Sequence, residues 1–369
     1  MKRSILKCCC RFSLRFLIFC VFILSFVYVC KVGLDSRRCD VTDVDPEYVK
    51  RAKSFAKKVL ESECRPAFAK SAMGRMFKKR YNANLAAFTS KEDLGKSLHK
   101  YEPPFGFHSY VEQLEAILQI MPEVDLPKGL SSKSCKRCVV IGSGGILRGL
   151  DLGKIVDEFD ITIRLNNAPV TGHTWDVGNK TTIRMTYPEG APVSEEEYNN
   201  SSLFVTVLYK NADFLWLQSV LKNETLSVWN RLFFWKSVVE RLPLTFKQLR
   251  ILNPLIVKET ALDILEYPQP GTKWIGWEKN IPTIGVTAII LATHLCDEVS
   301  FAGFGYDLNQ PDITLHYFDN LCMNAMSRQP MHDIMKEREL IKRLVKEGVV
   351  TDLSGGIHCE FCNKHLADT

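Results

Sequence analysis

The stretch from Cys138 to Gly190 constrains the fold more than any other part of the chain. Its apolar run at residues 139–141 predicts a buried strand, and glycines follow at positions 142, 144 and 145. A helical pattern comes next, and a second predicted strand, Ile161–Leu165, ends at Asn166. A strand, a glycine-rich turn and a helix can direct backbone N–H groups toward a ligand phosphate. The strict dinucleotide fingerprint is absent, so an ordinary βα turn is the alternative interpretation.

Strand and helix patterns continue to alternate after this stretch. We predict strands at residues 138–142, 160–165, 181–186, 203–208, 250–252 and 298–302. We predict helices at residues 145–157, 212–222, 228–241, 255–265, 285–294 and 333–347. This alternation predicts an α/β fold with a mostly parallel sheet and helices on both faces. Neither an internal repeat nor a low-complexity linker interrupts the pattern, which favours one catalytic domain.

The N-terminus has the pattern of a membrane anchor. Four basic residues within positions 1–11 precede an apolar run that ends at Cys30. Counted from residue 12, this run is long enough for a thin bilayer. A cleaved signal peptide is the alternative, but residues 29–33 make a poor cleavage site. We predict a cytoplasmic tail at 1–11, an uncleaved transmembrane anchor at 12–30 and a lumenal remainder.

The cysteines and the glycosylation sequons agree with a lumenal location. Eight of the 13 cysteines lie beyond residue 30, which favours a disulfide-permissive compartment. Sequons begin at Asn179, Asn199, Asn200 and Asn223, and we expect at most one of the adjacent pair to carry a glycan. The formal net charge of +6 suits an anionic substrate or a membrane surface. No basic stretch is rich enough to predict nucleic-acid binding.

Two long segments resemble motifs of the animal sialyltransferase family. Residues 138–182, with the glycine turn and Arg164-Leu165-Asn166-Asn167-Ala168-Pro169, resemble the large sialyl motif. Residues 282–307, which include Cys296, resemble the small sialyl motif. The resemblance implies a GT-A-like, Rossmann-like catalytic domain at residues 64–358, behind a stem at residues 31–63. Residues 359–369 lie outside the resemblance and are predicted to be a variable tail.

Two short histidine motifs follow in the order that the family uses. His316-Tyr317-Phe318-Asp319 resembles the third motif, and the segment from His332 to Glu337 resembles the very-small motif. The family transfers sialic acid from CMP-sialic acid to a sugar hydroxyl with inversion. The resemblance implies that His332 is the base for that hydroxyl and that His316 meets the leaving phosphate. Glu337 either orients His332 or stabilises its helix.

The resemblance also implies the residues that bind the donor, CMP-sialic acid. The cytidine and ribose contacts are expected at Asn166, Thr283, Ile284, Gly285, Gly303 and Gly305. Ile146 stands where many relatives have an asparagine, and backbone groups of Gly144 and Gly145 are expected to substitute for that contact. The alternative for Gly303 and Gly305 is a plain turn at the end of a strand.

The family pattern implies two disulfides, Cys138 with Cys296 and Cys64 with Cys135. The alternative for Cys135 and Cys138 is a redox pair or half of a zinc site. Cys359 and Cys362 have metal-like spacing in the tail, so weak metal binding is an open alternative there. We expect no metal cofactor in the reaction, because the donor carries one phosphate and the Asp43-Val44-Asp45 triplet lies in the stem as a helix cap.

The acceptor and the partners follow from three further segments. Residues 103–107, 186–192 and 344–356 resemble family members that act on O3 of the galactose of lactosylceramide, a membrane glycolipid. The expected setting is the Golgi membrane, with a homo-oligomer or a complex with other glycosyltransferases also open. A glycoprotein acceptor, or a Golgi protein that binds nucleotide sugars or glycans without turnover, are the alternatives.

One apolar segment has two interpretations. Residues 228–242 carry apolar side chains at helical spacing, including Trp235, and Phe233 and Phe234 widen that face. We predict a helix that faces the core. The alternative is a surface that contacts lipid or the lipid part of an acceptor.

Overall fold

The computed structural model describes residues 16, 19–23, 25, 38–40, 44–95, 100–121, 125–199, 201–269, 280–328 and 331–362. Its strands are β1 Arg137–Ile141, β2 Ile161–Leu165, β3 Thr181–Thr186, β4 Ser201–Thr206, β5 Leu249–Ile251, β6 Glu298–Ala302 and β7 Thr351–Asp352. They form one sheet in the order β5-β4-β3-β2-β1-β6-β7, and every neighbouring pair is parallel. The predicted α/β class and parallel sheet are confirmed, although the two-residue β7 was not predicted.

Helices precede and follow the strands. They are α1 Pro46–Glu61, α2 Phe68–Phe77, α3 Val111–Ile120, α4 Lys128–Ser131, α5 Gly153–Val156, α6 Thr174–Val177, α7 Asn211–Lys222, α8 Val228–Arg231, α9 Pro254–Lys258, α10 Ile284–Leu295 and α11 Ile334–Lys346. A π-helical turn, Glu259–Ile264, continues α9. Short 3₁₀ turns span Lys78–Arg80, Lys91–Gly95, His108–Tyr110, Gly145–Leu147, Pro188–Gly190, Glu195–Tyr198, Phe246–Gln248, Met323–Arg328 and Glu360–Cys362.

Side chains of β1 alternate between two cores, one on each face of the sheet. Cys138 and Val140 pack into the larger core, which also contains most of α10. Val139 and Ile141 pack into the other core. Because successive side chains of a strand point to opposite faces, this alternation shows that the sheet is covered on both sides. The predicted helices on both faces are therefore confirmed.

Two predicted helices are wrong in extent. The helix predicted at 145–157 is interrupted, because Gly149 and Asp151 adopt left-handed φ values of 78° and 51° that no α-helix contains. The helix predicted at 228–241 ends at Arg231. Short helices gain most of their stability by burying one face. Because Val228 is 73% exposed, this segment lacks the packing that would stabilise a longer helix.

Four disulfides join described residues. Cys138 pairs with Cys296, and Cys64 pairs with Cys135, as the family resemblance implies. The redox and zinc alternatives for Cys135 and Cys138 are wrong in this structure, since each cysteine has a different partner. Sequence analysis did not find the pairs Cys39–Cys322 and Cys359–Cys362.

The second of these new disulfides lies in the predicted variable tail. It occupies both sulfurs of the metal-like spacing, so these thiols are not available as metal ligands in this structure. Between them, Phe361 packs against Tyr48 and Phe55 of α1, with ring centroids 5.3 and 5.5 Å apart. Residues 359–362 therefore contact the folded domain.

The predicted anchor at 12–30 falls mostly outside the described residues; residues 16, 19–23 and 25 of it are described and are helical. In the part of the chain that the structure describes, none of the helices has the length and apolarity needed to cross a membrane. The tail at 1–11 lies outside the described residues. Among the sequons, Asn179, Asn199 and Asn223 are exposed, and Asn200 is not described.

Candidate active site

A cavity of about 840 Å³ lies along the carboxyl edge of the sheet. Residues that follow five of the strands line it: Gly142 and Ser143 after β1, Asn166 after β2, Tyr187 and Glu189 after β3, Tyr209 and Lys210 after β4, and Gly303 to Tyr306 after β6. Four strand spacings separate β4 from β6, or roughly 19 Å. The strand order reverses at β1, which has β2 on one side and β6 on the other. Ligands of open parallel sheets bind at such a reversal.

The N-terminus of α10 opens onto this cavity. Thr283, Ile284 and Gly285 all line it. Thr283 is the N-cap, and its hydroxyl accepts a hydrogen bond from the Val286 N–H at 3.3 Å. The first N–H groups of a helix have no partner within the helix, and the helix dipole places positive charge there. This end of the cavity is therefore suited to an anion such as a phosphate.

Glu337 of α11 holds this cap in place. Its carboxylate accepts hydrogen bonds from the Thr283 N–H at 2.8 Å and from the Thr283 hydroxyl at 2.5 Å. The Tyr267 hydroxyl lies 3.4 Å from the same carboxylate. Burial raises the pKa of Glu337 to about 7, although the bonds from Thr283 act in the opposite direction. Glu337 thus positions the cap of a different helix, a contact that the sequence did not predict. It also lies in the first turn of α11, so its two expected roles, orienting His332 or stabilising the helix, stay predictions.

His332 lines the cavity immediately before α11. Its Nδ1 lies 2.8 Å from the carbonyl oxygen of Ile281. Since a carbonyl can only accept, Nδ1 must carry the proton, and Nε2 keeps its lone pair in the neutral ring. Burial lowers the pKa of His332, and the bond to Ile281 opposes that shift. The imidazole is therefore a neutral base near pH 7.

His316 lies behind the glycine turn, outside the residues that line the cavity. Its backbone forms an antiparallel bridge with Gly144. Its Nδ1 is 2.8 Å from a carboxylate oxygen of Asp319, and its ring stacks on Phe318 at a centroid distance of 5.0 Å. The Asp319 carboxylate can accept a hydrogen bond from Nδ1, which fixes the orientation of the ring. His316 and Asp319 thus form a side-chain pair beside the glycine turn.

Comparison with known proteins identifies the family. The model of the family described as glycosyltransferase family 29 (sialyltransferase) matches residues 87–349. The chain belongs to this sialyltransferase family. It is 54% identical to the lactosylceramide alpha-2,3-sialyltransferase of Bos taurus over 363 residues, which cover 97% of this chain and 84% of the relative. The Homo sapiens protein of the same name is also 54% identical, over 97% of this chain and 85% of its own length.

Solved structures agree on the fold. A crystal structure of a mammalian sialyltransferase superposes with a TM-score of 0.59 at 23% identity, over 78% of this chain and 96% of that one. A mammalian sialyltransferase in complex with Gal-beta-1-3GalNAc-ortho-nitrophenol gives 0.58 at 23% identity, over 79% and 98%. The parallel sheet with its flanking helices is thus a sialyltransferase fold.

Most of the donor residues expected in a sialyltransferase meet in the cavity. The structure places seven of the ten predicted site residues on its wall: Asn166, Thr283, Ile284, Gly285, Gly303, Gly305 and His332. Asn166 has a left-handed φ of 51°, which turns the chain at the end of β2, and its side-chain oxygen accepts from the Thr186 hydroxyl at 3.2 Å. Its side chain is therefore oriented by the neighbouring strand.

Gly144 and Gly145 do not line the cavity, in contrast to the prediction. Their N–H groups already donate to the carbonyls of Gly303 at 2.8 Å and Leu315 at 3.0 Å. A Cβ atom on Gly144 would lie 2.6 Å from the Gly303 oxygen. These glycines are required because the turn packs directly against neighbouring backbone, so they are poor substitutes for the contact that Ile146 lacks.

Gly303 shows why the two interpretations of the strand-end glycines coexist. It lines the cavity, and its φ of 76° also belongs to a turn that favours glycine. A Cβ atom there would lie 2.3 Å from the Leu147 side chain. The turn by itself explains why residue 303 is a glycine. Gly303 lines the cavity because it comes directly after the carboxyl end of β6.

Part of the large motif has a structural role in this sialyltransferase. The Arg164 side chain is buried and donates to the carbonyls of Val177, Gly178 and Lys180 at 2.7 to 3.1 Å. Burial lowers the pKa of Arg164 to about 10. These bonds hold together the loop between β2 and β3, which positions Asn166 for the cavity.

Sequence analysis missed a charged wall at the β3 and β4 end of the cavity. Lys210 forms ion pairs with Glu189 and, at 3.9 Å, with Asp213. Both carboxylate side chains are only 1% exposed, and burial raises the pKa of Asp213 to about 7. A usable signal was present, because all three residues follow the carboxyl ends of predicted strands. Such a wall can form hydrogen bonds with sugar hydroxyls.

The rim beside this wall is apolar. Phe233 and Trp235 line the cavity and remain 69% and 70% exposed. Neither side chain faces the core, so the predicted core-facing helix is wrong for this part of the segment. Among the described residues, no group of three or more His, Cys, Asp or Glu side chains is placed to hold a metal ion.

Proposed function

We propose that the chain transfers sialic acid from CMP-sialic acid to O3 of the terminal galactose of lactosylceramide, with inversion at the anomeric carbon. The relatives named for this acceptor match 97% of the chain at 54% identity. The observation that carries the mechanism is the neutral His332 imidazole, which lies on the wall of the cavity that the N-terminus of α10 also lines. One cavity thus provides both a base and an anion site.

His332 is the base. Its Nε2 takes the proton of the galactose O3 hydroxyl, and O3 forms a bond to the anomeric carbon of sialic acid. The bond from that carbon to the CMP phosphate oxygen breaks on the opposite face, so the configuration inverts. The lowered pKa of His332 keeps Nε2 unprotonated at neutral pH, which is the form a general base requires.

The leaving CMP gains negative charge as this bond breaks. Two features of the structure support its stabilisation at the glycine-rich end of the cavity. Thr283, Ile284 and Gly285 at the N-terminus of α10 line the cavity there, and His316 with Asp319 lies next to the turn through its bridge to Gly144. We assign the phosphate to this end and the acceptor sugars to the wall of Lys210, Glu189 and Asp213.

The setting follows from the same proposal. A lumenal sialyltransferase with an anchor at residues 12–30 faces the leaflet of the Golgi membrane that holds the acceptor. The disulfides and the exposed sequons Asn179, Asn199 and Asn223 support a lumenal catalytic domain. No metal takes part, because the donor has a single phosphate and Asp45 of the Asp-x-Asp triplet caps α1 by accepting from the Glu47 N–H.

A comparison of acceptors tests the proposal. The full chain is incubated with CMP-sialic acid and lactosylceramide, lactose or an asialo-glycoprotein, and CMP release and the sialylated product are measured. We expect the highest kcat/KM with lactosylceramide. Preference for the glycoprotein would reject lactosylceramide as the acceptor. Binding of CMP-sialic acid without release of CMP on any of the acceptors would reject the proposed transferase activity.

A histidine pair tests the mechanism in the same assay. His332→Ala should lower kcat by roughly 10²- to 10⁴-fold, the range expected for loss of a general base, while CMP binding persists. His108→Ala is the control, because this histidine is exposed and lies outside the cavity lining. A His332→Ala variant with nearly unchanged turnover would show that the base lies elsewhere.

A further inference from the structure

The segment 228–235 exposes an unusual concentration of apolar side chains. Beyond residue 25, ten large apolar side chains of the described residues are exposed, and five of them lie in these eight positions. They are Val228, Trp229, Leu232, Phe233 and Trp235, each 69–77% exposed. Isolated apolar residues on a surface need no explanation, but a continuous group of this kind marks an interaction site.

The segment is held in this position by the fold. Ser227 caps α8 by accepting from the Asn230 N–H at 3.2 Å. Phe234 is only 8% exposed and packs into the core that contains Trp216. The Trp216 indole N–H donates to the Val239 carbonyl at 2.6 Å. With both ends fixed, the neighbours of Phe234 are presented outward rather than left without structure.

We propose that residues 228–235 form a membrane-docking patch that seats the mouth of the cavity on the phospholipid surface holding the acceptor. The patch is continuous with the cavity, because Phe233 and Trp235 belong to both. This inference rests on the proposed function: only two sugars separate the reacting hydroxyl of lactosylceramide from its ceramide. A transferase for that acceptor has to bring its cavity to the bilayer surface, and this rim is an exposed apolar part of the cavity lining.

A charge beside the patch favours phospholipid over another protein. The Lys236 ammonium lies 5.1 Å from the ring centroid of Trp235. A tryptophan beside a cationic group suits the boundary between acyl chains and headgroups, whereas lysine is depleted at protein interfaces. A second copy on this rim would also close the entrance that the substrate uses.

Two tryptophans of matched exposure provide the test. Trp229 lies in the patch and is 77% exposed, and Trp175 lies on α6 and is 70% exposed; neither lines the cavity. We expect Trp229→Ala in the full chain to lower kcat/KM about five- to tenfold with lactosylceramide in phosphatidylcholine vesicles, because part of an indole no longer leaves water. With soluble lactose kcat/KM should stay within twofold, and Trp175→Ala should leave both values unchanged. Equal losses on both acceptors, or no loss on either, would overturn the proposal.

A binding measurement separates this inference from the proposed function. Vesicles of brominated phosphatidylcholine quench tryptophans that enter the bilayer surface. Trp229→Ala should reduce the quenched fraction of the fluorescence of the full chain, and Trp175→Ala should not. Quenching that persists in a protein without transferase activity would reject the proposed function alone. If the two variants are quenched equally, or if Trp229→Ala instead dissociates a dimer in light scattering, the docking patch is rejected.

Discussion

Glu337→Gln replaces a buried carboxyl with a neutral amide of nearly the same shape. Glu337 is only 4% exposed, and burial raises the pKa of its carboxyl from 4.5 to about 7. Between these two values the unfolded chain has released the proton that the native state still holds. The free energy of unfolding therefore falls as the pH rises through this window, and it levels off above about pH 7.

The size of the effect follows from the shift. A displacement of this extent corresponds to about 3 kcal/mol of stability, lost progressively between about pH 4.5 and pH 7. For a domain of this size that is a fall in Tm of roughly 5 °C. Glutamine does not ionise, so its variant lacks this contribution. We expect Glu337→Gln to match the wild type near pH 4.5 and to be more stable than the wild type at pH 7.5.

Thermal unfolding of the full chain, recorded from pH 4.5 to pH 8, measures this difference. Other buried carboxyls with a raised pKa, such as Asp213 and Asp352, are common to all the proteins compared and cancel in the difference. Glu339→Gln on the same helix is the control, because its side chain is 63% exposed and should leave the curve parallel to the wild type. Parallel curves for Glu337→Gln and the wild type would refute the buried, protonated carboxyl.

Two further predictions concern the disulfides and metal ions. Replacing Cys138 and Cys296 with serine opens a loop with a sequence separation of 158 and should lower the free energy of unfolding by about 5 kcal/mol. Replacing Cys359 and Cys362, which are three residues apart, should lower it by about 2 kcal/mol. The Tm values of the two double variants test this order, and equal losses would contradict it. Transfer activity should survive EDTA, and turnover that is abolished by EDTA and restored by manganese would show that the reaction needs a divalent ion.

The alternation of strands and helices was visible in the sequence because parallel strands are buried on both faces. Residues 161–165 and 181–186 are predicted and observed as strands, since their side chains pack without exception into the interior. Helix extents were less predictable. The local pattern predicted continuous helix at both Gly149 and Leu232. The left-handed backbone of Gly149 interrupts the first helix, and the exposed Leu232 lacks a packing partner that would extend the second.

The candidate site also combines residues that the sequence predicts with contacts that only the fold creates. The chemistry of His332 could be predicted, because its motif fixes the residue type, but the carbonyl of Ile281 that sets its tautomer is 51 positions away. The link between Glu337 and Thr283 also joins distant positions, and no local pattern reveals it. Lys210 and its carboxylates follow predicted strands, yet only the assembled sheet brings them to one wall.

The sequence by itself determined the strand order along the chain, the family motifs and the residue types that carry the chemistry, because these depend on neighbours within a few positions. Tertiary structure alone decided which of those residues meet. It buried the N–H groups of Gly144 and Gly145 against other backbone, opened the N-terminus of α10 to the cavity, and turned Trp235 outward beside the entrance. Contacts across the sheet depend on how distant segments pack, and periodicity along the chain does not encode that packing.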